Sequence, residues 1–128
     1  MAQLRGVGIG LGVAHGPVAR MAAPLPAPDD VASTLGADAE RARVQEALEA
    51  VARELEQRGA QAGGAAREVL EAQAMMAEDP TLADEVDASL AQGKTAERAV
   101  HEAFASFRAQ LEAVGGYLGE RAADLDDV

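Results

Sequence analysis

A segment rich in carboxylates, residues 68–87, is the part of the chain whose side chains most resemble a binding surface. It holds seven acidic residues and no Lys or Arg: Glu68, Glu71, Glu78, Asp79, Asp84, Glu85 and Asp87. On a helical wheel with Val69 and Leu70 facing inward, Met75 projects nearly opposite, between three of these acids (Glu68, Glu71 and Glu78). A flexible apolar side chain in an acidic field suits the docking of a basic partner. A solvated acidic face with one exposed methionine fits the same pattern.

The two histidines, His15 and His101, are the other candidates for chemistry. His15 could accept a phosphoryl group because imidazole is nucleophilic near neutral pH, although an ordinary strand or turn residue is the favoured interpretation. For His101 a boundary position with one hydrogen bond is favoured over a catalytic role. The sequence His-Glu-Ala-Phe-Ala after position 100 does not complete the zinc motif H-E-x-x-H. Since Cys is absent and the histidines are far apart, no metal site is expected.

Glycines at positions 6, 8, 10 and 12 suggest a nucleotide-binding loop, but their spacing does not support one. A dinucleotide fingerprint needs a glycine at the sixth position of its motif, and here that position holds Leu11, Val13 or His15. The Gly-Lys-Ser/Thr of a P-loop is also absent. Because aliphatic residues alternate with these glycines, the segment is predicted to form a strand. A general acid–base pair is not expected, since most carboxylates fall on predicted solvent faces.

Composition limits the possible partners and compartments. The net charge of −11 argues against nucleic acid and against anionic membranes, and it favours a basic partner. No apolar run is long enough for a transmembrane helix. The absence of Cys suits a cytoplasmic protein, and the glycines near the start argue against a signal peptide. With 48% apolar residues supplied mainly by Ala, Leu and Val, the chain has the composition of a helical protein.

The sequence predicts an all-α fold, a compact four-helix bundle whose second helix is kinked at Asp79-Pro80. Residues 1–22 form a glycine-rich strand segment, residues 23–33 a proline-rich linker, and residues 34–128 the helical domain. Helices are predicted over residues 38–57, from Gly63-Gly64 to the kink, from Pro80 to about Gln92, from Thr95 to Val114, and from Tyr117 onward.

Periodicity also assigns faces to these helices. In the first helix Gly59 is the predicted stop, and Glu40 is placed on the solvent face. Asp79 and Thr95 are predicted N-caps, and Pro80 is placed in the first turn after the kink. Three leucine and valine positions after the kink, Leu82, Val86 and Leu90, should face inward. The inner stripe of the following helix is Ala96, Val100, Ala103, Phe104, Phe107, Leu111 and Val114.

Three segments resemble one protein family, in the right order. Residues 71–82 (EAQAMMAEDPTL) resemble the bend in the helical subdomain of enzyme I of the bacterial sugar phosphotransferase system, the phosphoenolpyruvate–protein phosphotransferases. Residues 117–128 (YLGERAADLDDV) resemble the end of that subdomain, and residues 8–20 are similar to the family's N-terminal strand. Ala14, His15 and Arg20 depart from the usual Ser, Pro and Gly of that strand.

The resemblance implies a docking role for the phosphocarrier protein HPr. In the family, phosphoenolpyruvate and Mg²⁺ bind a C-terminal barrel, which also forms the homodimer, and a histidine of a swivelling α/β domain is phosphorylated. That histidine lies in a Gly-Gly-x-Thr-Ser-His-like motif, which this sequence lacks, so no catalytic residue and no cofactor are expected in this chain. Carried over position by position, the HPr contacts fall on Met75, Met76, Glu78, Leu82, Leu111, Leu118 and Arg121.

Two alternatives to a stand-alone enzyme I remain open from the sequence. The same module occurs in multidomain fusion phosphotransferases, which the residues quoted above do not distinguish. An unrelated helical interaction domain would share the composition and periodicity but would not bind HPr. The resemblance does not indicate which sugar the pathway serves, because enzyme I acts before the choice of sugar.

Overall fold

The computed structural model describes residues 2–128, without the side chain of Asp127, and it confirms the all-α prediction. Four long helices are followed by two short ones, and no strand is present among the described residues. None of the described helices is long and apolar enough to cross a membrane. The helices are α1 (Ala37–Ala62), α2 (Gly64–Ala77), α3 (Pro80–Ala91), α4 (Ala96–Val114), α5 (Gly116–Glu120) and a C-terminal 3-10 helix (Arg121–Asp127).

Helices α1 and α2 form a hairpin whose turn is made by two glycines. Gly63 and Gly64 have φ angles of 68° and 55°, a region that residues with a Cβ rarely adopt. The prediction that Gly59 ends α1 is wrong, because Gly59 keeps a helical backbone and its carbonyl accepts the N–H of Gly63 at 3.0 Å. Gly59 is instead buried where α2 packs on α1, with Leu70 nearby.

The start signals of α3 and α4 are confirmed. The Asp79 side chain accepts a hydrogen bond from the N–H of Thr81 at 2.7 Å, and Pro80 occupies the first turn of α3. Thr95 caps α4 by accepting the N–H of Arg98 at 3.3 Å. Each cap satisfies a backbone donor that the first helical turn leaves unpaired. The bend between α2 and α3 therefore follows from local sequence.

The long helix α1 contributes to two separate apolar clusters. Toward its N-terminus, Val44 packs with α3 and α4, and Leu82, Val86 and Leu90 are buried there as predicted. Toward its C-terminus, Ala52 and Leu55 pack with Ala74 and Ala77 of α2. Small Ala side chains on facing helices allow the close approach that this Ala-rich composition favours. The inward half of α4 consists of Ala96, Ala99 and Ala103, with Val100, Phe104 and Phe107 half-buried beside them.

The C-terminal segment returns to α2. Ala122 and Leu125 of the 3-10 helix are buried. The Gln73 side chain, itself buried, donates a hydrogen bond to the backbone carbonyl of Asp124 at 3.3 Å. This contact joins the middle of α2 to the last turn of the chain, so that residues far apart in sequence share one end of the molecule.

Residues 2–22, the described part of the predicted N-terminal strand segment, do not form a strand. Every residue from 2 to 27 is exposed, including Ile9 and Leu11. A lone segment with alternating aliphatic residues has no neighbouring strand to pair with, and such a strand is marginal in water. Contacts with the helices begin at residues 28–35, which we call the strap. Within the strap, Ala32 forms an isolated antiparallel bridge with Lys94.

The placement of Glu40 on a solvent face is wrong. Its side chain is only 2% exposed and lies in the first turn of α1, between the strap and the start of α4. Helical periodicity describes the face that packs on other helices, whereas here a segment outside the helices covers the residue.

Candidate functional site

Met75 lies on the surface of α2, as the helical wheel predicted. Its side chain is 74% exposed, and its neighbour Met76 is half-buried. The inner face of α2 is formed by Gln73, Ala74 and Ala77, which leaves Met75 on the opposite side of the helix. An exposed methionine offers a large apolar side chain that adapts to the shape of a partner.

Much of the charge in residues 68–87 is used within the chain. Glu71 pairs with Arg67 at 2.6 Å, and Asp87 pairs with Arg41 of α1 at 2.7 Å. Asp79 caps α3, and Glu85 accepts a hydrogen bond from Gln110 at 2.9 Å. Among the described residues, no ion pair is found for three exposed carboxylates of this segment, namely Glu68, Glu78 and Asp84. The acidic field around Met75 is therefore weaker than the sequence count suggests, and the unpaired carboxylates left near it in sequence are Glu68 on α2 and Glu78 directly after α2.

Leu82 was expected to contact a partner, and the structure contradicts this. Its side chain is 1% exposed and packs in the cluster formed by α1, α3 and α4. A side chain without solvent exposure cannot touch a docked protein unless the fold opens. The periodicity of α3, which places Leu82 with Val86 and Leu90, was the better guide to this residue.

The remaining apolar candidates lie near the C-terminal end of α4. Leu111 is half-buried, and Leu118 of α5 is 45% exposed. The sequence missed two residues here, since Val114 and Tyr117 are 68% and 66% exposed. Val114 had been assigned to the inner stripe of α4, but it stands in the last turn, beside the glycines that separate α4 from α5. Proximity to Gly115-Gly116 was the signal that the stripe ends before this residue.

Arg121 stands at the junction of α5 and the 3-10 helix with a fixed side chain. Its Nε and Nη2 donate to Tyr117 Oη at 3.0 and 2.8 Å, and Nη1 donates to Asp124 Oδ2 at 2.9 Å. These hydrogen bonds, that with Tyr117 above all, raise the pKa of Arg121 above its ordinary value. A guanidinium group has five N–H donors, so some of the N–H groups of Arg121 remain available to an acceptor on another molecule. About a third of its side chain is exposed (32%).

The elements that carry these residues contact one another. The bond between Gln73 and the Asp124 carbonyl joins α2 to the 3-10 helix. Arg108 of α4 pairs with Asp126 at 2.5 Å, which joins α4 to the same 3-10 helix. We give the name candidate surface to the solvent-accessible candidates that these elements carry: Met75 and Met76 of α2, Glu78 directly after α2, Leu111 and Val114 of α4, and Tyr117, Leu118 and Arg121 at the C-terminal end.

The structure shows no contact between the described part of either histidine and the residues of the candidate surface. His15 lies in the exposed N-terminal segment, and His101 is exposed on α4. No group of three or more His, Asp or Glu side chains suited to a metal ion occurs among the described residues. The candidate surface presents both apolar and charged side chains to the solvent.

Comparison with known proteins assigns the chain to a family. Residues 5–121 match the family model described as "PEP-utilising enzyme, N-terminal". The chain belongs to this family. It is 52% identical over 126 residues to a phosphoenolpyruvate-protein phosphotransferase of Streptomyces coelicolor, an alignment that covers 98% of this chain and 23% of that protein. It is also 43% identical over 60 residues to a protein of the same name from Haloferax volcanii, covering 47% of this chain and 11% of the relative.

This PEP-utilising N-terminal domain thus spans less than a quarter of the length of these relatives. No solved structure gives a significant match to it. The match with the Streptomyces relative extends through α2, α5 and the 3-10 helix, because it covers nearly the whole chain. The family membership inferred from residues 8–20, 71–82 and 117–128 is therefore confirmed.

Proposed function

We propose that this domain holds the phosphocarrier HPr for a phosphoenolpyruvate–protein phosphotransferase. The phosphoryl group would pass between HPr and a histidine in another part of the enzyme. The observation that carries the proposal is Met75, an exposed apolar side chain of α2, with unpaired carboxylates on that helix (Glu68) and directly after it (Glu78), in a member of the PEP-utilising enzyme family. The candidate surface has the mixture of apolar anchor and charged rim that transient protein contacts use.

The two kinds of side chain have different tasks in this proposal. Met75 and Leu118 supply apolar area that a partner can remove from water, and such anchors account for most of the affinity in an interface. Glu78 and the other unpaired acids attract a basic partner and accelerate its approach, an effect that weakens as salt is added. Arg121 adds a cation to the candidate surface, where it can pair with an acceptor on HPr.

The domain acts by positioning. Phosphoryl transfer depends on holding the donor and the acceptor in line at short range, so a docking module contributes to the rate without touching the reacting atoms. Phosphoenolpyruvate, Mg²⁺ and the dimer contacts belong, in this proposal, to the rest of the phosphotransferase. No step that involves them is assigned to residues of this chain.

Methionine methyl NMR tests the proposal, because the methionines report on different regions. Met75 and Met76 lie on α2, whereas Met21 lies in the exposed segment before the strap. The chain labelled with ¹³C-methyl methionine is titrated with unlabelled HPr from the same organism. We expect the Met75 and Met76 signals to shift progressively while the Met21 signal stays in place.

Two other outcomes of this titration would overturn the proposal. One is a set of spectra that do not change at HPr concentrations up to the millimolar range. The other is a shift of Met21 with α2 unaffected, which would place HPr on the N-terminal segment.

A further inference from the structure

Glu40 is a buried carboxylate with partners on three different segments. It is 2% exposed, although it stands in the first turn of a long surface helix. An ionised group in such a position is costly unless its oxygens are hydrogen-bonded and its charge is balanced. The partners that satisfy these needs come from α1, from α4 and from the strap, so Glu40 joins all three.

One Glu40 oxygen serves helix α4. Its Oε2 accepts the backbone N–H of Ala96, the first residue of α4, at 3.1 Å. Thr95, the residue directly before α4, caps the same helix by accepting the N–H of Arg98. A negative charge at a helix N-terminus also interacts favourably with the helix dipole. Glu40 therefore completes the capping of α4 from α1.

The other oxygen serves the strap. Ser33 Oγ donates to Glu40 Oε1 at 2.5 Å and accepts the N–H of Leu35 at 3.0 Å. The Ser33 N–H donates to the carbonyl of Gly93 at 2.8 Å. Ser33 is thus bound on both sides, to α1 through its hydroxyl and to the α3–α4 turn through its backbone.

The charge of Glu40 is balanced locally. Arg43 donates to Glu40 Oε2 at 2.8 Å and also pairs with Glu97 of α4. The hydrogen bond from Ser33, followed by those from the Ala96 N–H and Arg43, holds the pKa of Glu40 below its ordinary value. Glu40 is consequently an ionised acceptor at neutral pH, which makes its hydrogen bonds stronger than those of a neutral group.

Contacts with the helical body stop abruptly on the N-terminal side of the strap. Arg98 Nη1 donates to the carbonyl of Pro28 at 3.0 Å, and Pro28 is half-buried. Every residue from 2 to 27 is exposed. Going toward the N-terminus, the strap is therefore the last segment that contacts the helices.

We propose that Glu40 is a latch that closes the strap against the α3–α4 turn. With the latch closed, the N-terminal segment leaves the helical domain from a fixed point at Pro28, and it reorients about that point. With the latch open and the Arg98 bond to Pro28 released as well, the point of departure moves to Gly36, at the start of α1, and residues 28–35 join the exposed N-terminal segment. The latch thus sets the length of the connection between the helices and whatever structure the N-terminal segment joins.

Amide hydrogen exchange measured by NMR on the whole chain tests this. Two amides report on the two sides of the latch: Ser33, bound to Gly93, and Ala96, bound to Glu40. Ser33→Ala should raise the exchange rate of the residue-33 amide roughly tenfold or more, the range expected for losing a hydrogen bond to a charged group. Ala96 should keep its rate in this variant. Glu40→Ala should raise the rates of both amides.

Thr34→Ala is the matched control, because Thr34 is the neighbouring hydroxyl residue of the strap and its side chain is exposed. It should leave both amides as they are in the parent protein. If Glu40→Ala does not fold, the exchange rate of the residue-33 amide in Ser33→Ala alone tests the proposal. The proposal is overturned if the residue-33 amide exchanges in Ser33→Ala as slowly as in the parent. It is equally overturned if Thr34→Ala releases that amide to the same extent.

Discussion

The Arg121 guanidinium carbon lies 5.1 Å from the centre of the Tyr117 ring, and two of its nitrogens donate to the hydroxyl of the same residue. Tyr117 thus fixes Arg121 through both its ring and its oxygen, one helical turn away. This pair belongs to the candidate surface, and an immobilised cation loses less entropy on binding than a free one.

Tyr117→Phe should therefore weaken HPr binding while leaving the fold intact. The ring remains, but Arg121 loses the acceptor for Nε and Nη2. We expect affinity to fall roughly two- to tenfold, which corresponds to about 0.5–1.5 kcal/mol for one hydrogen bond, with a melting temperature close to that of the parent. Isothermal titration calorimetry and thermal melting measure the two quantities. Unchanged affinity would mean that HPr does not use the orientation of Arg121.

Leu82→Ala should destabilise the protein strongly. The removed side chain fills a fully buried position among Val44, Val86 and Leu90, and such truncations cost about 2–5 kcal/mol. Urea unfolding followed by circular dichroism measures the loss. Leu25→Ala, at a position 93% exposed, is the control and should have no effect. A Leu82→Ala protein as stable as the parent would show that Leu82 does not belong to the core.

Stability should fall as the solution is acidified below pH 4.5. Glu40, Glu97 and Glu102 all have pKa values below the ordinary value of 4.5 in the folded protein, because of hydrogen bonds from Ser33, from the backbone N–H of Glu97 itself and from Lys94, respectively. The unfolded chain therefore takes up protons first. The stabilisation is fully present above pH 4.5 and is lost as the pH falls through the folded-state pKa values.

Urea unfolding at pH 7 and at pH 3.5 measures this dependence. Glu40→Gln should make the decline between the two pH values smaller, since one of the contributing groups no longer titrates. Glu54→Gln, at an exposed position of α1, serves as the comparison and should decline like the parent. An equally steep decline in Glu40→Gln would show that Glu40 does not contribute to acid sensitivity.

Two N-terminal deletions should differ sharply in their effect. Removing residues 1–24 takes away an exposed segment, so the melting temperature should change by less than about 5 °C, which is roughly 1 kcal/mol for a domain of this size. Removing residues 1–35 also removes the strap, and with it the Ser33 hydroxyl that donates to Glu40. The melting temperature should therefore fall by clearly more than about 5 °C. Equal melting temperatures for the two deletions would mean that the strap adds nothing to stability.

Local signals were sufficient to predict most of the helices. Asp79-Pro80, Thr95 and the paired glycines act through backbone geometry and capping, which depend on residues close in sequence. The inward positions of Leu82, Val86 and Leu90 also follow from periodicity within one helix. Met75 was placed outside by the same reasoning, and the structure agrees.

The errors arose where a distant segment decides the environment of a residue. Glu40 is buried by the strap and by α4, and no pattern within α1 shows that. Leu82 was carried over as a contact from a resemblance, which does not reveal how deeply the side chain lies in this chain. Tyr117 was overlooked because its exposure depends on how α5 lies after Gly115-Gly116, and glycines with positive φ set that direction.

The central claim is that HPr docks on Met75, and the affinity of one pair of variants tests it most directly. HPr is titrated calorimetrically into the parent chain, into Met75→Ala and into Met21→Ala, which removes a still more exposed methionine from the N-terminal segment. An apolar anchor is typically worth ~2 kcal/mol, or more than tenfold in Kd. We predict that Met75→Ala weakens binding at least tenfold, with an unchanged helical spectrum, whereas Met21→Ala binds like the parent. Equal affinities for the two variants would contradict the claim.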